Sequence, residues 1–194
     1  MLIFNHIMQC IKCKKSTIID VEYAGKRYCD THFMELIEKR VRKHLRITQM
    51  IDVKKEYVLL DDSSSEAKIA MYLLNKIFNG YLKIKIVKMK PKMKGSNVIL
   101  STNLDEQALS FLNEFLKNKN KKVDDVKSNE IPRGEFNKKQ IVPLEVLMQK
   151  EIEIICRILN VEFYPRVKSN ILASLEKQHP EIMFSLFKSK ENLK

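Results

Sequence analysis

Three cysteines and a histidine between residues 10 and 32 have a spacing that constrains the local fold. They are Cys10, Cys13, Cys29 and His32, and their pattern is C-x2-C-x15-C-x2-H. Two such pairs can close a tetrahedral zinc site, and four protein ligands leave no open position for catalysis. A disulfide interpretation is weaker, because a cytosolic compartment keeps thiols reduced. The spacing therefore indicates a structural zinc site.

The residues between the two ligand pairs predict a small hairpin. Residues 18–23 and 26–28 are rich in β-branched and aromatic side chains, and they flank the tight-turn pair Ala24-Gly25. The expected product is a zinc-ribbon or knuckle module over residues 1–32. Such a module cannot bury a core of its own, so metal binding would supply its folding free energy. The remaining cysteine, Cys156, lies in an amphipathic run with no local His, and we expect a buried core thiol.

The chain is strongly basic, which favours a polyanionic partner. Its 194 residues carry 36 Lys+Arg against 24 Asp+Glu, a formal net charge of +12. This excess is typical of nucleic-acid-binding proteins, although AT-rich genomes also yield lysine-rich chains. Residues 33–47 have helical apolar spacing, and cations crowd the other positions, among them Arg40, Arg42, Lys43 and Arg46. We interpret these four as RNA-binding candidates; the alternative is the solvated face of an ordinary amphipathic helix.

The length and hydrophobic content fit one ordinary domain with a small appendage. Hydrophobic residues make up 44% of the chain, enough to bury a core. No apolar run reaches the roughly 20 residues that a transmembrane helix needs. Residues 1–7 lack the basic region and cleavage site of a signal peptide. We therefore expect a cytoplasmic protein with no membrane association.

Strands and helices alternate after residue 55. The pattern predicts strands at 56–60, 81–89 and 97–101, helices at 66–78 and 104–117, a short strand at 141–144, and helices at about 145–160 and 168–179. Residues 118–130 are polar and predict a connection. This alternation indicates an α/β fold with a mostly parallel sheet and flanking helices. The expected organisation is a zinc module (1–32), a basic linker helix (33–55) and an α/β domain (56–194).

The turn after the first strand of this domain is where an α/β sheet binds ligands. It reads Asp61-Asp62-Ser63-Ser64-Ser65-Glu66, with no glycine or lysine. The chain has four glycines, none beside another, so it cannot build a Gly-rich phosphate loop. The simpler interpretation is that a serine of the turn caps the next helix. The alternative is a Mg²⁺ site at Asp61, Asp62 and Glu66 that supports a nucleotidyl or hydrolytic reaction.

Several segments together resemble the archaeal and eukaryotic cytoplasmic tRNA 2-thiolation proteins, which are PP-loop ATP pyrophosphatases. The matching segments are 29–33, 37–43, 102–108, 141–144, 150–152, 159–163 and 175–180. The resemblance implies a reduced PP-loop-like domain, with His32 replacing the family's usual cysteine as a zinc ligand. It also implies that the basic helix contacts the tRNA backbone. Asn103 and Asp105 match a segment near the family's nucleotide, whereas the residues alone favour a helix cap and a first-turn acid.

The departures from the family pattern concern its active site. The Ser-Gly-Gly-x-Asp-Ser loop is replaced by the acidic turn, and the region around Tyr164-Pro165 lacks the family's cysteine. One cysteine in the α/β domain cannot hold a cluster. The expected cofactor is therefore structural Zn²⁺; ATP binding is not favoured, and no iron–sulfur cluster is expected. We predict no catalytic residues, and a vestigial nucleotide site formed by Asp61, Asp62, Ser63, Ser64, Ser65, Asn103 and Asp105.

The function predicted from these features is that of a non-catalytic relative of a tRNA 2-thiolation enzyme. It would bind tRNA, an active thiolase subunit or both, and assist uridine thiolation; self-dimerisation is a further expectation. One alternative is a divergent metal-dependent nucleotide-binding enzyme that uses the turn at 61–66. Another is an independent zinc-containing RNA-binding protein.

Overall fold

A computed structural model describes residues 9–16, 19–49, 51–88, 97–119, 140–166 and 170–192. Most of the predicted connection at 118–130 lies outside these residues. Among the described helices, none combines the length and the apolar content that crossing a membrane would require.

The predicted N-terminal hairpin is present. Strands β1 (Ile19–Val21) and β2 (Lys26–Tyr28) pair antiparallel, with Ile19 opposite Tyr28. They are joined by a 3-10 turn and by Gly25, whose φ of 57° is left-handed and suits a glycine. Ile19, Val21 and Tyr28 are buried. The hairpin thus has one apolar face that packs on the rest of the protein.

Helix α1 (Asp30–Ile47) begins three residues earlier than the periodicity predicted, so it includes His32. Its buried stripe is Phe33, Met34, Ile37, Val41 and Leu45. These side chains belong to the same hydrophobic cluster as the hairpin and the sheet. One continuous core therefore extends across residues 32 and 55, where the sequence predicts domain boundaries. Those boundaries remain a prediction.

The central sheet has three parallel strands in the order β4-β3-β5. They are β3 (Glu56–Leu60), β4 (Lys83–Val87) and β5 (Asn97–Ile99), and helix α2 (Ser65–Phe78) links the first two. The α/β class with a parallel sheet is confirmed. The predicted strand at 141–144 is wrong in extent: only Ile141 bridges to Ile99. Pro143 has no N–H to donate, so the pairing cannot extend.

Four helices complete the described fold: α3 (Leu104–Lys119), α4 (Gln149–Ile158), α5 (Asn170–Gln178) and α6 (Ile182–Asn192). The sequence did not predict α6, and α4 begins later than expected because residues 143–146 form a turn. A second, smaller core lies between α3, α5 and α6 and contains Leu104, Ala108, Met148, Leu172 and Met183. This core holds the C-terminal helices on the body that carries the sheet.

Candidate functional site

The four predicted metal ligands converge at the junction of the hairpin and α1. Cys10 and Cys13 lie in a tight turn closed by the bond from the N–H of Cys10 to the carbonyl of Lys15, at 2.8 Å. Cys29 follows β2 directly and is the N-cap of α1, and His32 lies in the first turn of that helix. The positive end of the helix dipole favours thiolate at this position.

The distances between the ligand atoms fit a single bound metal ion. Cys13 Sγ lies 3.7 Å from Cys29 Sγ, and His32 Nδ1 lies 3.4 Å from Cys10 Sγ and 3.3 Å from Cys29 Sγ. All four atoms lie within 4.8 Å of one another. A tetrahedral ion with bonds of 2.0–2.3 Å separates its ligand atoms by about 3.5–3.8 Å. The donor set and its spacing therefore suit a tetrahedral metal centre.

The thiols are reduced and available as ligands. A separation of 3.7 Å between the sulfurs of Cys13 and Cys29 is far longer than a disulfide bond. Although desolvation raises it, backbone hydrogen bonds from Cys29, Lys12 and Cys13 lower the pKa of Cys10 to about 6. At Cys13 a backbone hydrogen bond of Lys15 lowers the pKa, but burial and the neighbouring thiols outweigh it and raise the pKa overall. Because metal ligands must be deprotonated, Cys10 is the thiol whose environment favours metal binding near neutral pH.

Helix α1 divides the four predicted RNA-binding cations into two groups. Arg42, Lys43 and Arg46 are exposed, as an RNA-binding role requires. Arg40 points inward instead, with only 20% of its side chain exposed. Residue 40 directly precedes the buried Val41, and its guanidinium meets Glu151 of α4, so an RNA-binding role for Arg40 stays a prediction that its position does not favour.

Arg40 joins three parts of the protein. It donates hydrogen bonds to Tyr23 Oη and Glu151, and Tyr23 Oη donates to Glu151 Oε1 at 2.9 Å. The guanidinium also lies 5.8 Å from the ring centres of Tyr23 and Phe184. Glu151 in turn accepts the N–H of Met148, ahead of α4, at 2.9 Å. This cluster ties the hairpin and α1 to α4 and α6.

The acidic turn uses its own side chains to bond its own backbone. Asp61 Oδ1 accepts the N–H of Ser63 at 2.8 Å, and Asp62 Oδ1 accepts the N–H of Ser64 at 3.2 Å. Ser64 Oγ accepts the N–H of Ala67 and caps α2, which confirms the serine-cap interpretation. A phosphate loop needs such amides free to face its ligand. In this turn, three of them are already bonded.

Arg166, which the sequence reasoning missed, fills the space at the carboxyl end of the sheet. Its Nε lies 3.2 Å from Glu66 Oε2, and its Nη1 lies 3.5 Å from Glu106 Oε1. Its Nη2 contacts Asp62 and Ser64 and lies 3.4 Å from Ser101 Oγ. The one signal in the sequence was three acids in a turn with no cation nearby, and nothing identified residue 166 as their partner.

The local charge has the wrong sign for a phosphate. Three carboxylates surround the single guanidinium, and the side chain of Glu66 is fully buried. Within the part of the chain that the structure describes, the Cys10–His32 set is the one group of Cys, His, Asp and Glu side chains close enough to hold a metal ion. The carboxylates of Asp61, Asp62 and Glu66 therefore do not assemble as the predicted Mg²⁺ alternative requires.

The remaining residues of the predicted vestigial site lie in two places, beside Glu66 and beside α4. Asn103 is buried beside Glu66, and its Nδ2 donates to Glu66 Oε1 at 3.4 Å. It also caps α3, since its Oδ1 accepts the N–H of Glu106 at 3.0 Å. Asp105 instead faces α4 and accepts the N–H of Gln149 at 2.7 Å. Ser65 is buried and donates to Glu66 Oε2 at 3.0 Å.

Cys156 is the buried core thiol that the sequence predicted. It is 1% exposed and packs in the main hydrophobic cluster. Burial and the nearby charge of Glu66 raise its pKa to about 11. A thiol with such a pKa is a poor nucleophile at neutral pH.

Comparisons with known proteins bear on the resemblance found in the sequence. No family model matches the chain. A stretch of 44 residues is 39% identical to the tRNA 2-thiolation protein NcsA of Haloferax volcanii; it covers 23% of this chain and 14% of that protein. The U34-tRNA thiolase NcsA of Methanococcus maripaludis, described with its [4Fe-4S] cluster, matches with a TM-score of 0.71 at 19% identity. This match covers 96% of the present chain and 88% of the thiolase.

This chain has the fold of a tRNA thiolase. The resemblance to tRNA 2-thiolation proteins is thereby confirmed, together with the α/β class predicted for it. In α/β proteins, ligands usually bind at the carboxyl ends of the strands, and Arg166 lies at that edge of the sheet.

One cofactor prediction is wrong. The sequence argued against an iron–sulfur cluster because the α/β domain holds a single cysteine. The matched thiolase carries a [4Fe-4S] cluster, and the present chain gathers three thiols and an imidazole at its N-terminal site. The argument from the α/β domain alone overlooked the N-terminal cysteines, so it gives no ground for excluding a cluster.

Proposed function

We propose that this protein is a non-catalytic relative of the tRNA thiolases that acts in tRNA uridine thiolation, in the cytoplasm, by binding tRNA. The observation that carries the proposal is the cluster of carboxylates around Arg166 at the carboxyl end of the sheet. We assign the protein to tRNA thiolation because its fold is shared with a U34-tRNA thiolase. The arginine and the carboxylates at the ligand-binding edge of the sheet argue against binding of a nucleotide, and therefore against catalysis.

The non-catalytic part follows from charge and from hydrogen bonding. A nucleotide phosphate at this edge of the sheet would approach Asp62, Glu66 and Glu106. The side chains of Glu66 and Glu106 are largely shielded from water, so their repulsion of a phosphate is weakly screened. The amides at the start of α2 that could bind phosphate are bonded to Asp61, Asp62 and Ser64. Binding of a phosphate would require the ion pairs of Arg166 and the hydrogen bonds to these amides to break.

For RNA binding, we propose that the exposed cations of α1 bind the phosphate backbone of tRNA. Arg42, Lys43 and Arg46 lie on the last two turns of a helix whose first turn carries His32. Phosphate contacts of this kind supply affinity without reading sequence. They also make binding weaken as salt rises, by release of counterions.

The metal part assigns one metal centre to Cys10, Cys13, Cys29 and His32. When bound, a metal supplies cross-links that hold the knuckle turn against the start of α1. The chain has four cysteines in all, and Cys156 is buried elsewhere, so thiolate ligands for zinc or for iron come from this group. Elemental analysis by mass spectrometry of protein purified without oxygen, together with its absorption spectrum, identifies the metal. A chain that is folded and holds neither zinc nor iron at about one centre per molecule would contradict this assignment.

The proposed partner is an active thiolase subunit, and a second copy of this chain is the competing outcome. The test combines purified full-length chain with ATP, Mg²⁺ and unmodified tRNA, with and without an active thiolase. We expect tRNA binding, no ATP hydrolysis by the chain alone, and a change in the thiolase's yield of thiolated tRNA. Hydrolysis of ATP that depends on tRNA and disappears in D62A would overturn the non-catalytic proposal.

A charge-removal series tests the RNA surface. The triple variant R42A/K43A/R46A should weaken tRNA binding and lower the slope of log affinity against log salt by up to about 3, roughly 1 per lost phosphate contact. The matched control removes three exposed helical cations elsewhere, as K68A/R157A/K177A. Equal losses in the two triple variants would show that net charge, and not the α1 surface, binds tRNA.

A further inference from the structure

Arg166 is held more completely than an ordinary surface arginine. It lies at the end of residues 161–166, an irregular segment that follows α4, and 19% of its side chain is exposed. Its Nε, Nη1 and Nη2 each have an oxygen partner, and the partners come from the acidic turn, from α2, from Ser101 and from α3. A planar guanidinium with donors on every side is the group that such an arrangement suits.

The receptor side chains are held in place by their own neighbours. Ser65 Oγ and Asn103 Nδ2 both donate to Glu66, at 3.0 and 3.4 Å, which fixes a carboxylate whose side chain is fully buried. Glu106 Oε2 accepts the N–H of Asn103 at 2.8 Å, which leaves Oε1 directed to Arg166. Burial raises the pKa of Glu106, and the charge of Arg166 acts in the opposite direction. A buried carboxylate that lost its cation would be costly, so the receptor needs a guanidinium in place.

We propose that these receptor side chains form a guanidinium-binding site. Arg166 is its internal ligand and latches residues 161–166 onto the carboxyl end of the sheet. The binding groups are the carboxylates of Asp62, Glu66 and Glu106, with the hydroxyls of Ser64 and Ser101. The inference does not depend on tRNA, on a partner or on the metal centre. It predicts that the site, once emptied, accepts a free guanidinium ion.

Chemical rescue tests the proposal. The full-length R166A variant should melt at a lower temperature than wild type, and guanidinium chloride on the order of 20 mM, too dilute to denature appreciably, should restore part of the loss. Sodium chloride of equal ionic strength and urea of equal concentration should not. R157A, which removes an exposed arginine of α4, is the matched control and should show no rescue. Absence of rescue in R166A, or an equal rise in R157A and wild type, would overturn the proposal.

Two further measurements keep the test decisive if R166A does not fold. R166K keeps the charge but loses the planar fork, so it should melt below wild type; equal melting temperatures would contradict recognition of a guanidinium. Chymotrypsin should cleave after Phe163 faster in the R166 variant that folds than in wild type, and guanidinium should slow that cleavage in R166A. Equal rates of cleavage after Phe163 in that variant and in wild type would overturn the latch, whatever the tRNA and ATP measurements show.

Discussion

Arg40 shows how one residue's role depends on a partner far along the chain. The sequence places it among exposed cations, and one of its contacts, Glu151, lies 111 residues away. Its Nε is buried with no hydrogen-bond partner among the described residues, which makes the remaining pairing more important. The group therefore contributes to the junction of α1 with α4.

Glu151→Gln tests that junction. The glutamine can still accept the N–H of Met148, but Arg40 would remain buried without a counterion, and we expect a loss of about 3–5 kcal/mol in the free energy of unfolding. Urea denaturation measures it. Glu153→Gln, an exposed site on the same helix, is the control. Equal effects at the two positions would show that the Arg40 pairing adds nothing.

Asp105 predicts a specific pH dependence. Burial raises its pKa from 3.8 to about 6, against the hydrogen bond from Gln149 and with help from the charge of Glu176. Because the folded state disfavours the charged form, the contribution of Asp105 is fully present below about pH 4 and is lost as the pH rises through about 6. Asp105→Asn should therefore gain stability over wild type between pH 4 and 7, by up to about 3 kcal/mol.

Denaturation of wild type and Asp105→Asn at a series of pH values measures this difference. Asparagine can still accept the N–H of Gln149, so the cap on α4 is retained. Glu181→Gln, at an exposed acid, should show no such trend. A difference between wild type and Asp105→Asn that is constant with pH would contradict the raised pKa.

At the scale of elements, α1 carries three roles on three parts of one helix. Its first turn supplies His32, its buried stripe packs in the core, and its exposed side presents Arg42, Lys43 and Arg46. Helical periodicity is what allows these roles to coexist without conflict. The hairpin before it has three-residue strands, too short to be stable without the core or a metal.

Removal of the metal should therefore act first on the hairpin. We expect Cys13→Ser, or a chelator, to speed hydrogen exchange in residues 19–28 and the first turn of α1, while the sheet stays protected by the large core around Leu59 and Ile99. Cys156→Ala is the control, because it should lower stability without changing the bound metal. Loss of protection throughout the sheet at once would show that the hairpin and the sheet unfold as one unit.

At the scale of the whole molecule, fold and site chemistry separate. The chain superimposes on a U34-tRNA thiolase over 96% of its length, yet its sheet edge holds a guanidinium among carboxylates. A parallel sheet requires apolar strands and covering helices, and it places few demands on the charge of the loops at its edge. The charge at the edge of such a sheet can therefore differ between proteins that share the fold.

The sequence by itself determined what depends on local spacing. The C-x2-C and C-x2-H pairs, the hairpin with Gly25, the first strand at 56–60 and the helix that begins near residue 65 are each encoded within a few neighbouring residues. The lack of a Gly-rich loop was equally visible. Helix α6 was missed because its ends carry weak signals and its partner α3 lies some 70 residues earlier in the chain.

Only the tertiary structure decided which distant charges meet. Asp62 and Arg166 are separated by 104 residues, Arg40 and Glu151 by 111, and Asp105 and Gln149 by 44. Such pairs leave no periodic trace, because their geometry arises from the packing of whole helices against the sheet. The acids of the turn are neighbours in sequence, whereas Glu106 and Arg166 reach the sheet edge only through the fold, which thereby surrounds a guanidinium with carboxylates.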